Sequence, residues 1–346
     1  MSHHSRRGIL ARGAGAGATT YYVAIANDST PFIYTYPWSD ASGFGTKFSD
    51  PATLPDVSLS VAFTPSGNAL AVGTAVSPYV AVYPWSSSGF GTKFSNPTTL
   101  PTSYFWSVAF SPAGDAVAGA LQSSPYITAY AWSSSGFGTK FSNPATLPTG
   151  TGNSVAFSPA GTEIAVAHDT SPRITAYPWS SSGFGTKFAN PATLPTGNGG
   201  GVAFSPAGTE IAVAHATSPR ITAYPWSSSG FGTKFANPAT LPTGDGKWVA
   251  FNPTGSALAV AHFSSPYITA YPWSSSGFGT KYANPSSLPA SNGSSVQFSP
   301  SGGAVAGIFG SAPKAYAWSS GFGSAYSNPA SAPAQAYKLA FGKITA

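Results

Sequence analysis

Apolar positions along this chain come in short runs, each cut off by Pro, Gly, Ser or Asn. The stretch from Val155 to Pro195 is representative. Val155-Ala-Phe is closed by Ser158-Pro-Ala-Gly161, and Ile164 to Ala167 by Asp169-Thr-Ser-Pro172. Ile174 to Tyr177 is closed by Pro178-Trp-Ser-Ser-Ser-Gly183, and Gly185 to Phe188 by Asn190 to Pro195. Proline presets φ and glycine tolerates φ > 0, so these punctuation marks read as turns. Runs this short and this often interrupted predict strands, not helices. We label them a to d in chain order.

The pattern repeats. Trp38, Trp85, Trp132, Trp179, Trp226, Trp273 and Trp318 sit in one recurring phrase, Tyr-(Pro/Ala)-Trp-Ser; five intervals are 47 residues and the last is 45. Four strands in a period of this size predict a propeller blade, which must stack on neighbours to bury its faces. The chain ends complete the count. Tyr22 to Asn27 and Pro31 to Tyr36 align with strands b and c but have no strand a before them, whereas Lys338 to Phe341 align with the strand a at Ser154 to Phe157. The expectation is an all-β, seven-bladed β-propeller of four-stranded blades over residues 21–346. Its ring closes where the C-terminal strand pairs with the N-terminal strands, removing a free sheet edge.

The V-A-F-S-P-x-G and I-A-V-A runs, followed by I-T-A-Y-P-W, resemble the first three strands of the WD40 family over residues 21 to 341. The Gly-His pair and the Asp after Trp are missing, so packing between blades is expected to rest on Trp, Tyr and Phe. The Trp-rich repeat is also similar to propeller repeats encoded by tailed bacteriophages. That resemblance implies an accessory virion protein, with a virion location.

Composition narrows the chemistry. Charged residues make up 7% of the chain, with a net charge of +6 and no cysteine. Disulfides and Cys-based zinc sites are excluded, and no apolar run approaches the length of a membrane helix, so no membrane insertion is expected. Lys47, Lys93, Lys140, Lys187, Lys234 and Lys281 recur at one position in strand d. They read as guards against edge-to-edge pairing rather than as a basic ring, and no specific nucleic-acid partner is expected. His168, His215 and His262 repeat at the end of strand b, where splayed positions fit a local hydrogen bond better than a metal site. Neither a nucleophile–base arrangement nor a phosphate loop is visible. The chain reads as a non-enzyme with no cofactor.

Two features remain for function. Residues 1–20 form a basic, Gly-rich arm; Arg6, Arg7, Ile9, Leu10 and Arg12 are its candidate grip on a protein partner in a larger assembly. The d–a and b–c loops vary between repeats, and strand alternation places both on one face. Tyr104, Phe105, Trp106, Lys247, Trp248 and Phe263 are its binding candidates, because loops on rigid scaffolds carry function. The expected function is therefore a non-enzymatic structural and interaction module anchored by its arm. The alternative is a carbohydrate-binding adhesin that grips a host-surface glycan through the aromatic face.

Overall fold

The structure, a computed structural model, describes residues 19–345. Arg6, Arg7, Ile9, Leu10 and Arg12 lie outside the described residues. Seven antiparallel four-stranded sheets form the blades of a ring. Blade I combines the two chain ends in the order Ala336–Thr345, Thr19–Asn27, Ile33–Ser39, Gly43–Phe44. Blades II to VII follow in sequence, and their strands a are Ser58–Phe63, Phe105–Phe110, Gly152–Phe157, Gly199–Phe204, Gly246–Phe251 and Gly293–Phe298. The closing strand is longer than its four-residue sequence core: Ala336–Thr345 pairs with Thr19–Asn27 from Thr19↔Thr345 to Asn27↔Ala336.

Each turn follows from its residues. In blade IV the Gly161 amide donates to the Ser158 carbonyl at 2.9 Å, with Gly161 at φ 71, a conformation glycine adopts without cost. Strand d differs from expectation. In blade IV it is Gly183–Phe184, and Gly185 to Phe188 continue as a loop rather than a ladder. Two bonds to strand c remain there, from the Gly185 amide to the Pro178 carbonyl at 2.8 Å and from the Phe188 amide to the Ala176 carbonyl at 3.0 Å. The recurring lysines therefore mostly lie just past strand d. Lys93 Nζ folds back to Asn96 Oδ1 at 2.6 Å, and Lys187 Nζ likewise reaches Asn190 Oδ1 at 2.5 Å.

The core lies between blades. Trp179 of blade IV meets Phe157 and Phe184 of its own blade and Phe141 of blade III, all edge-on with centroids at 5.0–5.2 Å. Edge-to-face pairs add about 0.5–1.5 kcal/mol each beyond the area they bury. Tyr177 reaches back in the same direction, donating to the Thr146 carbonyl at 2.7 Å. At the closing seam, Trp38 Nε1 donates to Asp40 Oδ1 at 2.7 Å, and Asp40 also accepts from Ser301 of blade VII.

Candidate functional site at the mouth of the central bore

Strands a line a central bore of about 430 Å³ to which all seven blades contribute. The d–a and b–c loops meet at one end of it. In every blade the residue just past strand b donates its amide to a d–a loop carbonyl; examples are Ala75 to Val57, Gln122 to Tyr104 and Phe263 to Asp245. The variable loops thus form one face, tied to the strands behind them.

Just inside that face, seven equivalent positions precede the Val-Ala-Phe core of strand a. They are occupied by Ser60, Ser107, Ser154, Gly201, Trp248, Ser295 and, in blade I, Lys338. Five are small and two are large, and the two large ones meet. Lys338 Nζ stands 4.2 Å from the ring centroid of Trp248 in blade VI. The same amine donates to the carbonyls of Trp106 in blade III and Asn153 in blade IV, the latter at 3.2 Å. Lys338 therefore spans the bore from blade I to three other blades.

Two effects compete at this amine. Carbonyl oxygens and an indole face favour the ammonium form. Removal from bulk water inside the ring disfavours it, and this effect prevails, lowering the Lys338 pKa to about 7. No carboxylate lies within salt-bridge distance of Lys338 among the described residues. Amine and ammonium consequently coexist near neutrality, a condition suited to proton transfer.

The six face candidates separate into three groups. Trp106, Trp248 and Lys247 stand half-buried at the mouth, Trp106 through its carbonyl and Trp248 through its ring. Tyr104 and Phe263 are 38% and 43% exposed, accessible to a ligand. Tyr104 stands between Tyr79 at 6.2 Å and Trp106 at 6.5 Å, whereas Phe263 carries Lys247 Nζ 4.0 Å above its ring. Phe105 is different: it is 1% exposed and belongs to the core between blades II and III. Its space comes from Gly119, where a Cβ would lie 1.9 Å from the Phe105 ring. Blade IV carries the reverse pair, Gly152 and Val166, at these positions.

The repeated histidines are local structure. His168, His215 and His262 are fully buried, and each Nε2 bonds a strand-c hydroxyl, Thr175, Thr222 or Thr269, at 2.8–2.9 Å. Burial lowers all three to about 4, so they are neutral at physiological pH.

Lys338 and Asn153 were not singled out from sequence. Lys338 was visible as the start of a closing strand a. The missing signal was its column: it is the one charged residue at a position held elsewhere by Ser, Gly or Trp. Only the closed ring sets that column around a bore.

No family model and no curated protein matches this chain. Among solved structures it is similar to a putative 6-phosphogluconolactonase from Bacteroides uniformis, with TM-score 0.71, 15% identity, and 93% of this chain and 99% of that chain covered. A protein from Lactobacillus plantarum aligns with TM-score 0.76 and 13% identity at the same coverage. A periplasmic gluconolactonase from Pseudomonas aeruginosa gives 0.68 and 16%, again covering 93% and 99%. At these identities the likeness establishes the fold. The expectation of a non-enzymatic virion or adhesin module is corrected here. Solved propellers of this shape carry enzyme names, and the bore holds Lys338, an acid–base group lowered to about 7 by burial.

Proposed function

We propose that this protein is a hydrolase of small cyclic esters, of the sugar-acid lactone class, with its site at the variable-face mouth of the bore. The observation that carries this reading is Lys338, a proton-exchanging amine held across the bore by Trp106, Asn153 and Trp248. The fold it shares with propellers named for lactone hydrolysis supports the substrate class. The likeness to WD40 and phage-encoded repeats rests on the strand pattern and adds nothing to this site.

In the proposed reaction, the neutral Lys338 amine takes a proton from water as the water oxygen attacks the lactone carbonyl carbon. The resulting ammonium stands beside the tetrahedral oxyanion and stabilises it. Collapse breaks the bond to the ring oxygen, which takes the proton back from Lys338 and leaves as the hydroxyl of the open hydroxy acid. One water is consumed, and no redox step is needed. Trp248 and the exposed Tyr104 offer flat apolar surfaces against the C–H faces of a sugar-derived ring. The test is a pH-stat assay of glucono-δ-lactone hydrolysis. Saturable turnover that Lys338→Met lowers by about 10²–10⁴-fold is expected; a rate no higher than buffer with the intact protein overturns the reading.

A further inference from the structure

We infer that Asp169, just past strand b of blade IV, is a positioning residue for Lys338 and acts through Asn153. The inference rests on the proposed reaction only where it concerns turnover; the placement of the amine follows from geometry.

The two carbonyls that accept from Lys338 belong to Trp106 and Asn153, and both residues are bulged. In blade III, Phe105 pairs with Leu121 and Ser107 with Ala120, which leaves Trp106 with no opposite residue. In blade IV, Gly152 pairs with His168 and Ser154 with Ala167, which leaves Asn153 likewise unopposed. A bulge bends its strand and re-aims the extra residue. Sheet register therefore does not fix the Asn153 peptide, and its side chain takes over that task. Asn153 Nδ2 donates to Asp169 Oδ1 at 2.6 Å and to the Gly199 carbonyl of blade V at 2.8 Å. Asp169 is itself tied down. Its amide donates to the Thr151 carbonyl at 3.2 Å, and the Thr151 hydroxyl donates to the Gln122 carbonyl of blade III at 3.0 Å. A continuous set of bonds thus runs from blade III through Asp169 and Asn153 to the amine of blade I.

Blade V supplies an internal comparison. Its stretch Val202 to Pro242 matches Val155 to Pro195 at every position but one, where Ala216 stands for Asp169. The bulged position differs too: Gly200 stands for Asn153, and a Cβ there would lie 2.8 Å from the Lys247 carbonyl. The copy without the carboxylate is also without the amide, and Lys338 takes its acceptors from blades III and IV instead. The same two columns meet in blade VI as Lys247 and Phe263, so contact between them belongs to this face and its content to each blade.

Neighbouring charges do not compete for Asp169. His168 beside it is neutral, and Arg173 donates to the Pro195 carbonyl. Among the described residues no cation lies within salt-bridge distance of Asp169. Around the amine stand two carbonyls and the Trp248 ring; Tyr337 lies beside Asp28, and Lys247 between Phe263 and Asp245. Each carbonyl favours the ammonium form, so loosening Asn153 weakens one of the forces that oppose desolvation at Lys338.

The test is an NMR titration of the full chain labelled at its lysine side-chain carbons, the Lys338 signal being the one that Lys338→Met removes. Asp169→Ala should lower the Lys338 midpoint by about half a pH unit or more. Melting should stay close to the parent's, because blade V carries alanine at this position. Asp169→Asn keeps an oxygen for Asn153 to reach and should fall between the two. Asp56→Asn removes a carboxylate from the same face but not from this set of bonds, and should leave the midpoint unchanged. A midpoint that Asp169→Ala leaves unchanged or raises, or an equal fall in Asp56→Asn, overturns the inference. In the lactone assay Asp169→Ala should lower kcat about tenfold with KM within about twofold. If the intact protein shows no lactone turnover, the proposed reaction fails, and the titration still decides what holds the amine.

Discussion

Lys338 of the first blade and Trp248 of the sixth meet across the bore, with the amine 4.2 Å from the indole centroid. They occupy equivalent columns of the repeat, and in most other blades that column holds Ser or Gly. If Lys338 is the base, turnover requires its neutral form. Activity should therefore rise as pH increases through about 7 and level off above it. Lys338→Met should lower kcat by about 10²–10⁴-fold. The depressed lysine also binds fewer protons folded than unfolded between pH 7 and its ordinary value, so it detracts from stability at neutral pH. The variant is accordingly expected to melt no lower than the parent, by calorimetry, while losing activity.

Acid should loosen the ring through its histidines. His168, His215 and His262 are neutral when folded, lowered to about 4 by burial, whereas in the unfolded chain they titrate near 6.5. The unfolded state then binds more protons below 6.5, and stability falls as pH drops from about 6.5 toward 4. Each fully buried site contributes on the order of 3 kcal/mol to that loss. Urea midpoints across this window, compared with His215→Gln, measure it; a smaller acid loss in the variant is expected.

Closure predicts a disproportionate effect of truncation. The strand Ala336–Thr345 carries strand a of blade I and pairs along the whole of Thr19–Asn27. Leu339 and Ala340 belong to the cores on either side of that blade. Deleting residues 336–346 removes Lys338 and opens the ring. A melting temperature lowered by far more than the area of one strand would give is the expected calorimetric result.

The Phe105–Gly119 exchange offers a test of packing. Gly119→Val would press a side chain into the Phe105 ring, where even a Cβ would come within 1.9 Å. Overpacking of this kind costs about 1–3 kcal/mol or more. Adding Phe105→Gly restores the pair that blade IV uses, Gly152 with Val166. The double variant should recover much of the loss, and a double-mutant cycle by urea unfolding reads the coupling.

At Gly246 a Cβ would lie 2.2 Å from the Arg220 carbonyl. Gly246→Ala is expected to destabilise by about 1–3 kcal/mol, because backbone rather than a movable side chain stands in the way. Chemical denaturation checks it, with Gly161→Ala, limited by its φ of 71 rather than by space, as the comparison.

The sequence by itself determined the seven blades, the four strands in each and the sharing of blade I between the chain ends. These depend on local turn chemistry within each repeat and on the spacing between repeats. It also placed the variable loops together, because alternating strands leave no other arrangement. It did not reveal how short strand d is in blade IV: Gly185 to Phe188 have strand-like composition, but two isolated bonds to strand c replace the ladder. Nor did it separate Phe105 from the exposed Tyr104 and the half-buried Trp106, since that depends on the space left by Gly119 on the paired strand. The bore site was decided by tertiary structure alone. Lys338, Trp106, Asn153 and Trp248 are far apart in the chain and come from four blades, and only ring closure points them at one axis. The desolvation that lowers Lys338 exists only once all seven blades surround it.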